Sequence, residues 1–168
     1  GENAEAKSVA ETFESKADAY VLAMPFKAID KIAELYAGEY SNRVIIDATN
    51  PYPERDGEMA QEVWDANHSA TEYTAMKFGT ARIAKAFNTI KAEDLKNYAF
   101  RTQDKLAVPY ATQDSKTQNT VQQLIEDIGF DSVYIGNLSD AKIMDPEQEL
   151  YDLSKLRSEL LDKIQAQN

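Results

Sequence analysis

Cysteine is absent from the sequence, and histidine occurs once, as His68. A chain without cysteine forms no disulfide, no thiolate metal site and no cysteine nucleophile, and we take a cytoplasmic location as the default. A lone histidine offers no pair of imidazoles for a metal ion, so we assign no metal site. His68 follows an acidic stretch that has no patterned element to hold it against a partner, and we interpret it as a solvated side chain rather than a catalytic one.

Basic residues and long apolar runs are also scarce. The chain has 18 lysines and arginines against 29 aspartates and glutamates, which gives a formal charge of −11 at pH 7. Because this charge repels a phosphate backbone and no basic stripe interrupts it, we expect no nucleic-acid partner. The apolar run Tyr20–Met24 is far shorter than the roughly 20 residues that cross a bilayer, and the first residues are acidic rather than basic. We therefore expect no membrane partner and no targeting segment.

What remains is the composition of an ordinary globular protein, with 43% hydrophobic and 28% charged residues. A chain of 168 residues is long enough to bury a substantial core and matches the usual size of one domain. We therefore expect residues 1–168 to form a single domain.

Short apolar runs alternate with helical periodicity along the whole chain. The first run, Ala19–Met24, predicts a strand that is buried on both faces and central in its sheet, stopped by Pro25. The next helix is expected to end near Gly38. The full set of predicted elements comprises strands at Ala19–Met24, Arg43–Ala48, Ala81–Phe87, Lys105–Ala111 and Ser132–Ile135, and helices at Ile29–Tyr36, Glu58–Trp64, Ala70–Lys77, Ala92–Asn97, Thr117–Ile128 and Leu153–Ile164. This alternation predicts an α/β fold with a mostly parallel sheet and helices on both faces.

Ligands of such sheets bind at the carboxyl ends of the strands, so the residues that follow each strand are the candidates for a site. These are Met24-Pro25, Ala48–Pro51, Phe87–Thr89 and Ala111-Thr112. They carry amide, hydroxyl, proline and aromatic groups and almost no acid–base groups. Hydride transfer from a nicotinamide suits such a set, because the cofactor carries that chemistry. On spacing alone, ordinary turns and a helix cap explain these residues better.

Other side chains that could do chemistry have simpler explanations. Ser69, Ser115 and Ser154 each precede or open a helical segment, so we interpret them as caps rather than nucleophiles. Lys85 lies within a predicted strand, and we expect it to project to a surface or to pair with an acid rather than to act as an amine catalyst. We assign no catalytic residue.

Three segments, taken in order, resemble the coenzyme F420-dependent NADP oxidoreductase family, which also includes the reductase domains of the STEAP metalloreductases. They are Val21–Phe26, Val44–Pro51 and Ala84–Ile90, and the succession of Asp-Ala-Thr-Asn-Pro and Lys-Ala-Phe-Asn-Thr is their most specific part. Further agreement comes from Pro51–Gly57, Lys105–Pro109 and Glu126–Asp131, and Asp145–Leu160 is similar to the end of a bacterial branch. The likeness covers nearly the whole chain.

The resemblance implies a Rossmann-like fold with a nicotinamide dinucleotide, NADP, lying across the strand ends and a deazaflavin such as coenzyme F420, or a flavin, as the hydride partner. The implied binding residues follow three strands: Ala23, Met24 and Pro25 beside the path from adenosine to nicotinamide, Thr49, Asn50 and Pro51 flanking it, and Ala86, Phe87 and Asn88 lining the pocket of the nicotinamide and the second substrate. The implied activity is that of an NADP-dependent oxidoreductase.

One part of the family pattern is missing from the sequence. The family begins with a strand and a GxGxxG-type turn that holds the pyrophosphate, and none of the six glycines forms that fingerprint. We therefore interpret the chain as lacking the N-terminal βαβ half, either as a fragment of a longer reductase or as a shortened relative that covers its open sheet edge with a second copy in a homodimer. Two other functions stay open: a non-catalytic oligomerisation or regulatory module, and a relative of the pyrroline-carboxylate reductases, whose long helical dimer domain is not present.

Overall fold

The computed structural model describes residues 4–35, 43–80 and 82–166. Strands in these ranges form one five-stranded sheet in the order in which they occur along the chain. They are β1 (Ala19–Leu22), β2 (Val44–Asp47), β3 (Ile83–Ala86), β4 (Ala107–Ala111) and β5 (Asp131–Gly136). β1, β2 and β3 are parallel, β4 runs antiparallel to β3, and β5 is parallel to β4. The predicted mostly parallel sheet is confirmed, with one reversal between β3 and β4.

Helices cover both faces of this sheet. The α-helices are α1 (Val9–Glu14), α2 (Ile29–Leu35), α3 (Pro53–Asp56), α4 (Glu58–Asp65), α5 (Ala70–Phe78), α6 (Ala92–Tyr98), α7 (Ser115–Asp127) and α8 (Arg157–Gln165), with single 3-10 turns at Phe26–Ala28 and Asp140–Met144. Successive residues of β2 point to opposite sides, so Ile45 joins the core formed with α2, α4 and α5, whereas Ile46 joins the core formed with α7. The chain therefore has the predicted α/β, Rossmann-like fold with helices on both faces.

The position predicted for the first strand is wrong. β1 ends at Leu22 rather than Met24, and β2 is its only strand partner in the described part of the chain. Tyr20 and Leu22 are buried, but Val21 is 49% exposed, so the strand is buried on one face and lies at the edge of the sheet. An apolar run indicates that side chains are buried, but it does not indicate how many strands pair with the backbone. A central strand and an edge strand can therefore have the same sequence pattern.

The reversal at β4 corrects one candidate for the site. Ala111 pairs with Lys85, and the Thr112 hydroxyl donates to the Ile83 carbonyl at 2.7 Å, so the end of β4 lies beside the beginning of β3. Ala111 and Thr112 therefore lie beside the amino ends of the parallel strands, at the side of the sheet opposite to the carboxyl ends of β1, β2 and β3. Hydrophobic periodicity carries no information on strand direction, and the prediction had placed them with the other strand ends.

Helix boundaries show where local chemistry outweighs periodicity. The last helix begins at Arg157 rather than near Leu153, because Lys155 and Leu156 run beside Leu106 and Ala107 in a short strand-like contact. The helices α1 and α3 were not predicted. The predicted end of the second helix, from Tyr36 to Gly38, and the predicted strand start at Ala81 lie outside the described residues. No helix in the described ranges combines the length and the apolar composition needed to cross a membrane.

Of the three serines interpreted as helix caps, one has that role. The Ser69 hydroxyl accepts from the Glu72 backbone N–H at 3.2 Å, and the Glu72 carboxylate accepts from the Ser69 backbone N–H at 2.9 Å, which completes a capping box. Ser115 is already inside α7, whose cap is Asp114. Ser154 lies before α8 and donates its hydroxyl to Asp94 instead. The interpretations of Ser115 and Ser154 as caps are therefore wrong. Asp114 caps α7 in place of Ser115, and Ser154 bonds to the Asp94 carboxylate instead of to a helix N-terminus.

Candidate functional site at the carboxyl ends of β1, β2 and β3

The loops that follow β1 and β2 enclose a cleft of about 380 Å³, which we call the strand-end cleft. Its lining residues are Ala23, Met24, Pro25, Ala48, Thr49, Asn50, Tyr52 and Arg55. Five of the predicted binding residues are thus brought together, although they come from two separate loops. None of the lining residues is a carboxylate or an imidazole, and Tyr52 is the lining residue that carries a phenol hydroxyl.

Two asparagines join the tips of the parallel strands β2 and β3. The Asn50 side chain donates from Nδ2 to the Asn88 carbonyl at 3.1 Å, and Asn88 donates from Nδ2 to Asn50 Oδ1 at 3.0 Å. Asn88 Nδ2 also donates to the Met144 carbonyl at 2.7 Å, which uses both of its hydrogens. Asn88 Oδ1 is buried without a partner in the described part of the chain. The pair therefore fixes the two loops and leaves one acceptor unsatisfied.

Backbone strain lies directly before this pair. Phe87 has φ of +66°, a left-handed conformation that bulky residues rarely adopt. Such strain costs about 1–3 kcal/mol and persists where the surroundings impose it, often at ligand sites. Phe87 lies between the end of β3 and Asn88, whose side chain is fixed by hydrogen bonds to Asn50 and Met144. These contacts hold the backbone of Phe87 in its strained conformation.

A buried ion pair supports the loop after β2 from below. Lys85 and Asp47 both have side chains with no exposed surface, and their Nζ and Oδ2 atoms are 3.5 Å apart. Asp47 also accepts from the Thr49 N–H and hydroxyl at 2.9 and 2.6 Å, and Lys85 donates to the Thr49 carbonyl at 2.5 Å. The Thr74 hydroxyl completes the set at 2.9 Å. The expected pairing of Lys85 with an acid is confirmed, and the alternative of a surface position is wrong.

A second buried carboxyl lies behind the site. The side chain of Asp145 is 2% exposed and accepts from the Ala70 N–H at 2.9 Å through Oδ2, while Oδ1 has no partner in the described part of the chain. Burial raises the pKa of this carboxyl, and the positive charge of Lys85 opposes that rise only in part. Asp145 directly follows Met144, whose carbonyl accepts a hydrogen bond from Asn88 Nδ2.

Arg55 and Tyr52 line the strand-end cleft but were not predicted as binding residues. The Arg55 Nη2 donates to the Asn50 carbonyl at 2.7 Å, and its guanidinium carbon lies 4.7 Å from the centre of the Tyr52 ring. Tyr52 in turn shares a hydroxyl–hydroxyl hydrogen bond with Tyr151, and burial raises the pKa of its phenol. Both residues lie in Pro51–Gly57, a segment that resembles the family. Sequence spacing alone does not show that a residue of this segment returns to the loop after β2.

The remaining predicted binding residues, Pro51, Ala86, Phe87 and Asn88, do not line the cleft. Pro51 accepts from the Trp64 indole N–H at 3.2 Å, Ala86 is fully buried in the core on the α7 side, and Asn88 is 6% exposed. Their roles in ligand binding, like those of the lining residues, stay predictions. In the ranges 4–35, 43–80 and 82–166, no three carboxylate or imidazole side chains come together in a way that could hold a metal ion. His68 is exposed, as expected.

Comparison with known proteins finds similar solved structures but no matching family model. No protein-family model matches the chain, and no curated protein matches it. A hypothetical protein from Sinorhizobium meliloti has a similar structure, with a TM-score of 0.75 and 22% identity over 89% of this chain and 70% of that one. A candidate F420-dependent NADP-reductase from Arthrobacter sp. FB24 follows at 0.62 and 21%, over 81% of this chain and 62% of that one.

A third solved structure carries a nicotinamide cofactor. Prephenate dehydrogenase from Aquifex aeolicus, in complex with hydroxyphenyl propionate and NAD⁺, matches at a TM-score of 0.50 and 15% identity, over 78% of this chain and 42% of that one. At these identities the likeness establishes the fold alone. The chain therefore has a Rossmann-like fold that oxidoreductases also have.

Proposed function

We propose that this chain is the NADP-binding part of an oxidoreductase that passes hydride between NADPH and a flat acceptor such as a deazaflavin or a flavin. The observation that carries the proposal is the asparagine pair, because Asn50 and Asn88 join the tips of β2 and β3 beside the strand-end cleft. Open α/β sheets bind ligands at this edge. The resemblance in sequence and the fold of the Arthrobacter structure favour NADP and coenzyme F420 in particular.

The residues of the cleft fit one end of a dinucleotide. Its volume of about 380 Å³ is near the lower end of the range of small-ligand sites, roughly 300–1,000 Å³. Met24 and Pro25 offer an apolar wall for a flat ring. When bound, the nicotinamide supplies the hydride. In this proposal the chain's own residues hold the ring and keep the two loops in register.

The proposed activity is tested on the full-length natural form of the protein. NADPH is mixed with coenzyme F420 or FMN, and the loss of NADPH absorbance is followed over time. We expect turnover with at least one acceptor. If NADPH does not bind and no turnover occurs with either acceptor, the enzyme proposal is overturned.

The contribution of the asparagine pair is tested with a matched pair of variants. Asn88→Ala breaks the link to Asn50 and Met144, so we expect weaker NADPH binding. Asn119→Ala changes an exposed asparagine of α7 and is expected to leave binding unchanged. The melting temperature of each variant separates loss of the site from loss of the fold.

The edge of β1, which has no strand partner other than β2 among the described residues, supports a second candidate function, an assembly module. A groove of about 300 Å³ runs along this edge, with apolar walls that include Phe13, Val21 and Ile32. Unpaired strand edges of this kind recruit other strands. In this alternative, two copies of the chain pair through β1 and bind no nucleotide. Titration with NADPH and sedimentation of the same sample separate the two candidates.

We further propose that a dinucleotide-binding half precedes the described fold in a longer reductase. The chain spans 70% and 62% of the two first solved structures, which leaves room for such a half in them. Reading the coding sequence upstream of Gly1 tests this proposal: a strand followed by a glycine-rich turn is expected, and a start codon without that turn would contradict it.

A further inference from the structure

The strand-end cleft contains a positive charge that the asparagine pair and the supporting ion pair do not explain. Arg55 is the single ionised residue among its lining residues, in a protein whose formal charge is −11. Its side chain is 43% exposed, which leaves the guanidinium accessible from the cleft. A cation at this place in so acidic a protein is a feature that a ligand of opposite charge would use.

The hydrogen bonds of Arg55 leave one side of its guanidinium free. A guanidinium has five N–H donors. Nε donates to both Asp56 oxygens at 3.1 and 3.2 Å, and Nη2 donates to Asp56 Oδ2 at 2.8 Å and to the Asn50 carbonyl at 2.7 Å. Nη1 has no partner within the part of the chain that the structure describes, so two donors remain. Two donors on one nitrogen suit an oxygen-rich anion.

Asp56 holds the guanidinium in place through a direct ion pair. Its side chain is fully buried and also accepts from the Tyr52 and Lys27 backbone N–H groups at 3.0 and 3.3 Å. Burial would raise the pKa of Asp56, but the bonds from Arg55 and from these two amides outweigh it and hold the pKa below its usual range. The Lys27 ammonium lies 3.3 Å from the Arg55 carbonyl and adds a second positive charge nearby.

The other acid of α3 lies outside the strand-end cleft. Glu54 is exposed and lines a neighbouring cleft with Trp64 and Glu147, not the strand-end cleft. Arg55 is therefore the charged residue of α3 that lines the strand-end cleft. The stacking of the guanidinium on Tyr52 restricts its orientation further, which lowers the entropy lost when an anion binds.

From this arrangement we propose that Arg55 is an anion-binding residue of the strand-end cleft and takes a phosphate group of the ligand through its free Nη1 donors. The inference rests on the proposed function and deepens it, since a pyridine dinucleotide and a phosphorylated flavin both present phosphate. The chemistry recognised is the same in either case.

The experiment measures binding by calorimetry to the full-length natural protein and to three variants. Arg55→Gln removes the charge, and Arg55→Lys keeps the charge and a partner for Asp56 but not the fork. Arg101→Gln is the matched control, because Arg101 also stacks on a tyrosine, 3.9 Å above the Tyr98 ring, but lies outside the cleft. The probes are inorganic pyrophosphate, NADPH, FMN and riboflavin, the last of which has the ring of FMN without the phosphate.

We expect Arg55→Gln to weaken the binding of pyrophosphate and of at least one phosphate-bearing probe by about tenfold to a hundredfold, the range for hydrogen bonds to charged groups. Arg55→Lys should weaken binding less, and Arg101→Gln and all riboflavin affinities should not change. Melting temperatures identify any variant that fails to fold. If Arg55→Gln does not fold, the affinities of Arg55→Lys decide whether Arg55 binds the anion. Arg55-dependent binding of NADPH assigns the dinucleotide phosphates, and Arg55-dependent binding of FMN assigns the phosphate of the acceptor.

Two results separate this inference from the proposed function. If NADPH and FMN bind wild-type protein and the Arg55 variants equally, the anion-binding role is overturned and the proposed function stands. If pyrophosphate or FMN binds in an Arg55-dependent manner and NADPH does not bind, the anion-binding role stands and the proposed function falls. If none of the phosphate-bearing probes binds the folded wild-type protein, both are overturned.

Discussion

The ion pair between Lys85 and Asp47 is the residue-level feature on which the geometry of the strand-end cleft depends most. Lys85 reaches the Thr49 carbonyl while Asp47 accepts from the Thr49 N–H and hydroxyl, so the pair grips the backbone of one lining residue from two sides. Neither charge reaches solvent. A buried pair of this kind adds little net stability compared with an apolar pair, but it makes the loss of one partner expensive.

We expect Lys85→Met to destabilise the fold by about 3–5 kcal/mol, because it leaves the Asp47 carboxylate buried without a counter-charge. Urea unfolding at neutral pH measures the change. The double variant Asp47→Asn with Lys85→Met should recover part of the loss, and Lys116→Met, on the exposed surface of α7, should stay within about 0.5 kcal/mol of wild type. A single Lys85→Met variant as stable as wild type would contradict this role.

Asp145 gives a pH dependence of opposite sign to that of most carboxylates. Because burial raises its pKa above the ordinary 3.8, the folded protein binds this proton more readily than the unfolded chain does. The stability that the group contributes is therefore complete in acid, below the unfolded value, and is lost as the pH rises through the folded value.

We expect Asp145→Asn to be more stable than wild type at neutral pH, with the difference shrinking toward zero in acid. The amide oxygen can still accept from the Ala70 N–H, so the charge alone is removed. Chemical unfolding across the pH range checks this expectation, with Asp162→Asn, an exposed aspartate of α8, as the control. A variant that loses stability at neutral pH would show that the ionised carboxylate is needed.

Sequence reasoning found part of the candidate site because strand ends are visible as places where apolar runs stop. The positions of Met24, Thr49 and Asn50 follow from that rule. It could not find Arg55, since a turn residue five positions beyond Asn50 returns to the cleft only through the fold of α3. Nor could it name Asp47 as the partner of Lys85, because pairing across β2 and β3 is set by register and not by spacing.

At the level of elements, β1 shows how one strand can be apolar on both faces and covered on only one. Tyr20 and Leu22 each have 5% of their surface exposed, whereas Val21 between them is 49% exposed. Alternation along a strand places these side chains on opposite sides, and the core formed with α2, α4 and α5 covers only one of them.

We expect Val21→Lys to change the free energy of unfolding by no more than about 0.5 kcal/mol, as at other exposed positions. Leu22→Lys, one residue along, buries a charge and should prevent stable folding or cost several kcal/mol. Urea unfolding distinguishes the two, and light scattering should show less aggregation for Val21→Lys, because a lysine on an open strand opposes edge-to-edge pairing. Equal effects of both substitutions would place the two side chains in similar surroundings.

The fold class of the whole molecule was accessible from sequence, because alternating apolar runs and amphipathic helices leave few layered arrangements. The direction of β4 was not, since a strand reads the same whichever way it runs. The ends of elements were accessible where a single chemical group sets them, as at Ser69, and not where a distant contact does, as at Ser154 with Asp94.

The order of the strands has a kinetic consequence. Each strand pairs with the strand that follows it in the chain, so every pairing closes over a single connecting segment and no strand inserts between two that are already joined. Loop closure over short separations is fast, and a sheet built in this order can grow stepwise from any of its pairs. Among the described strands, β1 and β5 are the two at the ends of this ladder, so a further strand would join late, at one end, without reopening the interior.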